Sequence, residues 1–437
     1  MFSVSGLKRY AKNTGYLFLE KIARTLMAMI VWAQVGRYLG PEHFGIFNYA
    51  LSFVFLFKVL SDLGLNDVVV QELVKREEKR DMILGTTFFM RLVGSVVAIY
   101  LIYIVTDMLT VDFFTRMVVL MMSFRLFFQV FNNIDFYFQS RVLAKYVVCA
   151  QLGSLVFTAL LCLTFIRLKM PLIYFVYVIL VEACITSLGL IILYWHTGEH
   201  IAKWRFNFAI CKGLLKAVWP IIISGIAVSI YMRIDQIMIN EMLDTISVGY
   251  YSAAVRVSEA FYFFPLVVTS SLFPAIVSSK INDGTVYKKR LQALLAILVW
   301  PAMGVSLLFT VFAKPIILLL YGKHYVPAIP ILTIHIWATV FVFLGVMRSK
   351  WAINENLQFY TMVYVILGAI VNVCLNIVLI PAFGLQGAAW ATVIAQAIAG
   401  VFSNLLSART RSIFFLQINA FNPTHIFQAI KSLKNGH

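Results

Sequence analysis

The chain has 437 residues, of which 61% are hydrophobic and only 13% charged, and its mean hydropathy is +0.88; soluble globular domains carry roughly a quarter charged residues. That composition excludes a sizeable soluble domain and makes the bilayer the main solvent. The net charge of +17 would suit nucleic acid if the cations shared one surface, but they are dispersed between apolar runs, so no nucleic-acid partner is expected.

The apolar runs predict an all-α polytopic membrane protein with about twelve helices, near 14–38, 44–66, 83–106, 113–134, 145–166, 171–194, 217–241, 246–275, 291–313, 327–348, 360–381 and 384–406. The first run follows Lys8, Arg9 and Lys12, contains Glu20, Lys21 and Arg24, and lacks a small-residue cleavage site, so it reads as a retained helix and not a signal peptide. Between the second and third helices, Glu72 to Arg80 reads as an amphipathic extension. The loop from Lys203 to Lys216 is the longest polar break. It divides an N-terminal six-helix bundle (1–202) from a C-terminal one (217–406), with 203–216 as the linker and 407–437 as a basic tail. In that tail Ile426, Ile430 and Leu433 have helical spacing beside Lys431 and Lys434, as in an interfacial helix.

An internal echo supports two halves. Phe44-Gly45-Ile46-Phe47-Asn48-Tyr49-Ala50 opens helix two and Val248-Gly249-Tyr250-Tyr251-Ser252-Ala253-Ala254 opens helix eight; a looser copy, Phe383-Gly384-Leu385-Gln386-Gly387-Ala388-Ala389, opens helix twelve. Internal repeats of this kind are frequent in secondary transporters. Of the 36 Lys and Arg, 23 fall in the termini and alternate loops, six on the opposite side and seven inside spans. The positive-inside rule then places both termini in the cytoplasm. The other loops are short, the longest around Ala313 to Pro327, which leaves little room for outer-loop catalytic acids. The five cysteines lack metal-ligand spacing and read as packing residues, so neither a metal nor a cofactor is expected.

Charges at mid-depth are costly and mark functional sites or buried pairs. Counting rise from each helix start puts Arg24, Arg125, Glu182 and Arg256 nearest the centre of the bilayer. Lys21, Lys58 and Arg91 lie between the centre and the cytoplasmic face, Asp62 nearer that face, and Arg233 with Asp235 toward the outer one. Glu20 with Arg24, Lys58 with Asp62, and Arg256 with Glu259 have the spacing of local ion pairs. Three central arginines against one glutamate predict a cationic cavity. Arginine grips phosphate with a planar fork and stays charged, so a diphosphate headgroup is the expected guest. Asp62, Asp235 and Glu259 are candidates for coupling transport to H⁺ or Na⁺. Tyr231, Tyr250 and Tyr251 are candidates for stacking on sugars. Asn372 and Asn376, one turn apart, are expected to tie helices together, and Pro220, Pro265, Pro274 and Pro301 to kink them.

The order of Gly36-Arg37-Tyr38-Leu39-Gly40-Pro41, Phe44-Gly45, Asp62-Leu63-Gly64-Leu65, Asp235-Gln236-Ile237-Met238-Ile239, the Val248 and Pro381 segments resembles the polysaccharide-unit (O-antigen type) flippases of the multidrug/oligosaccharidyl-lipid/polysaccharide exporter superfamily. The resemblance implies a V-shaped fold of two six-helix bundles. It also implies an undecaprenyl-diphosphate-linked oligosaccharide as substrate, moved across a bacterial inner membrane by alternating access, with a polysaccharide polymerase complex as partner. Relatives that flip the peptidoglycan precursor use basic residues of helix one and an Arg-x-x-Glu pair in helix eight, which Arg24 and Arg256 with Glu259 match here. Those relatives carry two further C-terminal helices absent from this sequence, an expectation in favour of the surface-polysaccharide branch.

No Gly-x-x-x-x-Gly-Lys-[Ser/Thr] segment occurs, so ATP is not the expected energy source. A drug exporter on the same fold would favour acidic and aromatic residues in its cavity. A membrane polymerase or glycosyltransferase would need clustered outer acids, where only Asp107, Asp112 and Asp244 stand apart. A non-transporting scaffold of polysaccharide assembly would tolerate loss of the central arginines. The chain is therefore expected not to be an enzyme.

Overall fold

The computed structural model describes residues 4–109, 112–282 and 284–424. Among them there is helix and no strand, the only open-ended way to satisfy every backbone N–H and C=O inside hydrocarbon. The stretch His425–Lys434 expected as an interfacial helix lies outside the described residues.

The chain separates into two compact units, Met1–Ser229 and Ile230–His437. The first comprises α1 (Val4–Asp62), α2 (Asn66–Lys75), α3 (Arg80–Met108), α4 (Phe113–Ser123), α5 (Arg125–Gln129), α6 (Asn133–Ser140), α7 (Ala144–Arg167), α8 (Leu172–His196) and the start of α9 (Phe208–Met242). The second continues with α10 (Thr245–Glu259), α11 (Phe263–Asn282), α12 (Gly284–Val311), α13 (Ala313–Leu320), α14 (Ala328–His335), α15 (Ala338–Asn354), α16 (Gln358–Gly400) and α17 (Arg411–Asn419). The boundary falls inside α9, beyond the 203–216 break read from polarity. Leu214 and Val218 are buried in the core of the first unit with Leu65, Ile83, Phe138 and Tyr194, so the start of α9 belongs to that unit by packing.

Nine helical stretches among the described residues are long and apolar enough to cross a membrane. Two of them are double. α1 breaks at Gly40 (φ 74°, ψ 170°) ahead of Pro41, and α16 at Gly384 (φ 57°, ψ −137°). These left-handed positions suit glycine, and a proline following the break starts a new helix without losing a hydrogen bond. Splitting both gives eleven segments, and α10 with α11 supplies a further apolar stretch, in accord with the twelve expected. Starts elsewhere are capped by side chains: Asp112 accepts from Thr115 N at 2.9 Å, Asp244 from Ser247 N at 2.6 Å and Asn207 from Ile210 N at 3.1 Å, which satisfies otherwise orphaned donors. The expected loop around Ala313 to Pro327 contains α13 and a 3-10 turn at Lys323–Tyr325.

The second unit centres on Leu295, Leu298, Val299, Phe343, Leu344 and Met347, all buried. Side chains such as Val93, Tyr100, Leu160, Ile192, Leu307 and Val378 are exposed. In water such a surface would aggregate; in a bilayer it is the lipid-facing side of a multi-pass membrane protein. Helices meet through small residues, as membrane packing favours. A Cβ on Gly94 of α3 would lie 2.2 Å from the Leu60 carbonyl oxygen of α1, so only glycine permits that approach.

Candidate functional site

Two groups of polar side chains stand inside the apolar helices, one in each unit. In the first unit, Glu20 and Arg24 lie one turn apart on α1, and Arg24 Nε donates to Glu20 Oε1 at 2.6 Å. Arg24 Nη2 donates to Gln151 Oε1 of α7 at 3.3 Å, while Nη1 is 3.9 Å from Glu182 Oε1 of α8. The arginine side chain nevertheless remains 38% exposed.

Deeper along α1, Asp62 joins two cations. Lys58 Nζ donates to one of its oxygens and Arg91 Nη2 to the other at 2.5 Å. Arg91 is further held by Asn133 Oδ1 at 3.4 Å and lies over the Phe136 ring, 5.7 Å from its centroid. Its side chain is only 3% exposed, against 35% for Lys58. Arg125 lies within electrostatic reach of Glu182 and Asp62, and Asp135 within reach of Glu20 and Arg91.

The cations of the first unit thus stand among four carboxylates, Glu20, Asp62, Asp135 and Glu182. This corrects the expectation of uncompensated central arginines for this unit. Depth along a helix axis orders residues but does not say which acids approach from neighbouring helices. Arg24, Lys58 and Lys21, which is exposed, keep accessible heads; Arg91 is sequestered and serves to hold Asp62.

In the second unit, Glu259 also takes a partner on the neighbouring helix. Arg233 Nη1 and Nη2 donate to the two Glu259 oxygens at 3.3 and 3.0 Å, a two-pronged pair between α9 and α10. Such a fork takes both carboxylate oxygens in one geometry. Arg256 lies in electrostatic reach of Tyr321 and Glu259.

Asp235 is buried and bonded only to neutral donors. Its Oδ2 accepts from the Tyr251 hydroxyl at 2.7 Å and from Thr392 Oγ1 at 2.5 Å, and its Oδ1 accepts from Asn376 Nδ2 at 2.6 Å. Asn376 Nδ2 also reaches Asn372 Oδ1 at 3.4 Å, and Asn376 Oδ1 is buried with no hydrogen-bond partner. Next to this cluster, Tyr231, Asp235, Tyr251, Glu259, His335 and Thr392 line a cavity of about 10 Å³, near the space of one water. His335 Nδ1 is 2.6 Å from Ser258 Oγ.

Tyr251 is 1% exposed and therefore offers no face to a sugar; its hydroxyl serves Asp235 instead. Tyr250 packs edge-on against Tyr325 with centroids 6.1 Å apart, and Tyr231 lines the small cavity. Thr392 was not singled out by the sequence, and Asn376 is bonded to a carboxylate besides tying helices. Arg348, the last residue of the span expected over 327–348, is buried in α15, donates to the Ala399 carbonyl at 2.5 Å and lies 5.6 Å from the Tyr364 centroid. The buried stripe Leu344, Met347, Trp351 at helical spacing is the signal that would have carried the helix past it. Among the described residues no cluster of His, Cys, Asp and Glu could hold a metal ion of the usual protein-ligated kind.

The polysaccharide biosynthesis protein family matches residues 10–280, which cover the first unit and the Asp235, Arg256 and Glu259 positions. The chain belongs to that family. A curated relative, the "Putative O-antigen transporter" of Escherichia coli (strain K12), is 21% identical over 277 residues, 61% of this chain and 65% of its own length. The match thus spans just under two thirds of that relative. Among solved structures, an inward-facing multidrug resistance MATE family transporter of the MOP superfamily aligns with a TM-score of 0.75 at 16% identity, over 90% of this chain and 95% of that one. The lipid II flippase MurJ, in an inward closed conformation, aligns with a TM-score of 0.67 at 16% identity over 94% and 90%. At these identities the likeness shows the fold alone: this polysaccharide biosynthesis protein has a MATE-like fold.

Proposed function

We propose that the protein is a flippase that moves a lipid-linked oligosaccharide, carried on undecaprenyl diphosphate, from the cytoplasmic to the periplasmic leaflet of a bacterial inner membrane by alternating access. The observation that carries this reading is the coincidence of membership in a polysaccharide biosynthesis family with a partly accessible arginine and lysine cluster inside apolar helices. Arg24, Lys21 and Lys58 would receive the diphosphate, with Arg125 and Arg256 as further cations on its path. Glu20, Glu182 and Asp62 keep these cations charged and oriented while no substrate is present. Arg24 and Lys58, with 38% and 35% of their side chains exposed, can receive an anion beside these partners without stranding a carboxylate.

Asp235 is the seat we assign to the coupling ion. A carboxylate enclosed by neutral donors bears an unrelieved desolvation cost, and a proton or a small cation relieves it. The unpartnered Asn376 oxygen and the adjacent cavity favour an oxygen-coordinated ion there. Reconstitution in vesicles with a labelled undecaprenyl diphosphate oligosaccharide tests both assignments: the intact protein should flip it, faster under an ion gradient. Drug efflux without flipping would establish the rival exporter reading.

A further inference from the structure

The first unit carries, on its lipid-facing side, a groove unrelated to either charged cluster. Leu60 and Leu63 of α1, Phe89, Met90, Val93, Gly94 and Val97 of α3, and Phe206, Cys211 and Leu215 at the start of α9 enclose about 670 Å³. The lining is apolar throughout. Phe89, Val93, Val97, Phe206 and Leu215 are all exposed, so the groove opens toward the bilayer.

One end of the groove is built rigidly. The segment before α9 is strapped across α3: Arg205 N donates to the Asp81 carbonyl at 3.2 Å, and Asn207 N to Thr86 Oγ1 at 3.0 Å. The approach is so close that a Cβ on Gly85 would meet the Arg205 backbone at 2.5 Å. Phe206 is thereby fixed edge-on to Phe89, centroids 5.9 Å apart. Three cations adjoin groove residues along the chain. Arg205 precedes Phe206, while Lys212 and Lys216 directly follow the groove residues Cys211 and Leu215; all three are exposed and make no ion pair among the described residues.

We propose that this groove is a seat for an anionic glycerophospholipid, an acyl chain lying along α3 and the phosphate held by Arg205, Lys212 and Lys216. Basic residues at the membrane face beside an interhelical groove are the pattern that recognises negatively charged headgroups. The floor decides between a resident lipid and a passing substrate. At Gly94 and Leu60 the two helices touch so closely that no side chain fits, so the floor is closed between α1 and α3 at that level. The proposal is independent of the transport reading.

Native mass spectrometry of the purified full chain, incubated separately with phosphatidylglycerol and phosphatidylethanolamine, tests it. Wild type should retain phosphatidylglycerol preferentially. The triple variant Arg205→Gln, Lys212→Gln, Lys216→Gln should bind it on the order of a hundredfold more weakly, since each cation near a membrane surface contributes roughly fivefold. Val93→Trp, which fills the groove and leaves the cations in place, should also lose retention while melting like wild type. Equal retention of both lipids by wild type, or undiminished phosphatidylglycerol retention by both variants, would overturn the proposal. So would displacement of phosphatidylglycerol by equimolar undecaprenyl phosphate, which would make the groove a substrate-tail site.

Discussion

At the scale of single residues, exposure separates cations that serve structure from those free to meet a ligand. Arg91, almost wholly buried against Asp62, should be intolerant of losing its partner: Asp62→Ala is expected to cost about 3–5 kcal/mol, the usual penalty for stranding a buried charge. A fall in melting temperature and in folded yield measures it. Arg24→Ala should cost about 1–3 kcal/mol, because it leaves the nearly buried Glu20 without its closest partner, and reduce flipping about 10- to 100-fold if a charge-assisted contact to diphosphate is lost. Asp235→Asn keeps the shape of the hydrogen-bonded cluster and should fold, while flipping no longer responds to an imposed ion gradient. What the sequence disclosed here was local. Glu20 with Arg24 and Lys58 with Asp62 follow from helical spacing alone. Arg91 with Asp62, Arg233 with Glu259, and Asp235 with Asn376 and Thr392 join different helices, and spacing along one helix carries no information on those.

At the scale of elements, hydropathy located nearly every helix, because twenty apolar residues in a row have few alternatives. It blurred at the ends. α15 runs to Asn354, six residues past the expected end at Arg348, and the Ala399 carbonyl and the Tyr364 ring offset the cost of burying that charge. Polarity is equally blind to packing within 203–216, where Leu214 sits in the core of the first unit. Helix contacts through glycine give a sharp prediction: Gly94→Leu should separate α1 from α3 and lower the melting temperature, whereas Gly153→Leu, whose added Cβ would meet nothing within 4 Å, should leave it near wild type. Thermal unfolding of the two purified variants compares them directly.

At the scale of the whole molecule, family membership and fold agree on a multi-pass membrane protein of polysaccharide biosynthesis, and the alternation of basic loops predicts an orientation that labelling tests. Single cysteines at Lys203 and Lys350, in a cysteine-free background, should be labelled from the cytoplasmic side only, and one at Lys323 from the opposite side. The central claim is that arginine and lysine inside the membrane receive a diphosphate headgroup. Its most direct measurement is flipping of labelled undecaprenyl diphosphate oligosaccharide in vesicles by wild type, Arg24→Ala, Arg125→Ala and Arg256→Ala. Robust transport by wild type with strong loss in Arg24→Ala, in a variant that still folds, is the predicted result; wild-type rates in all three variants would contradict it.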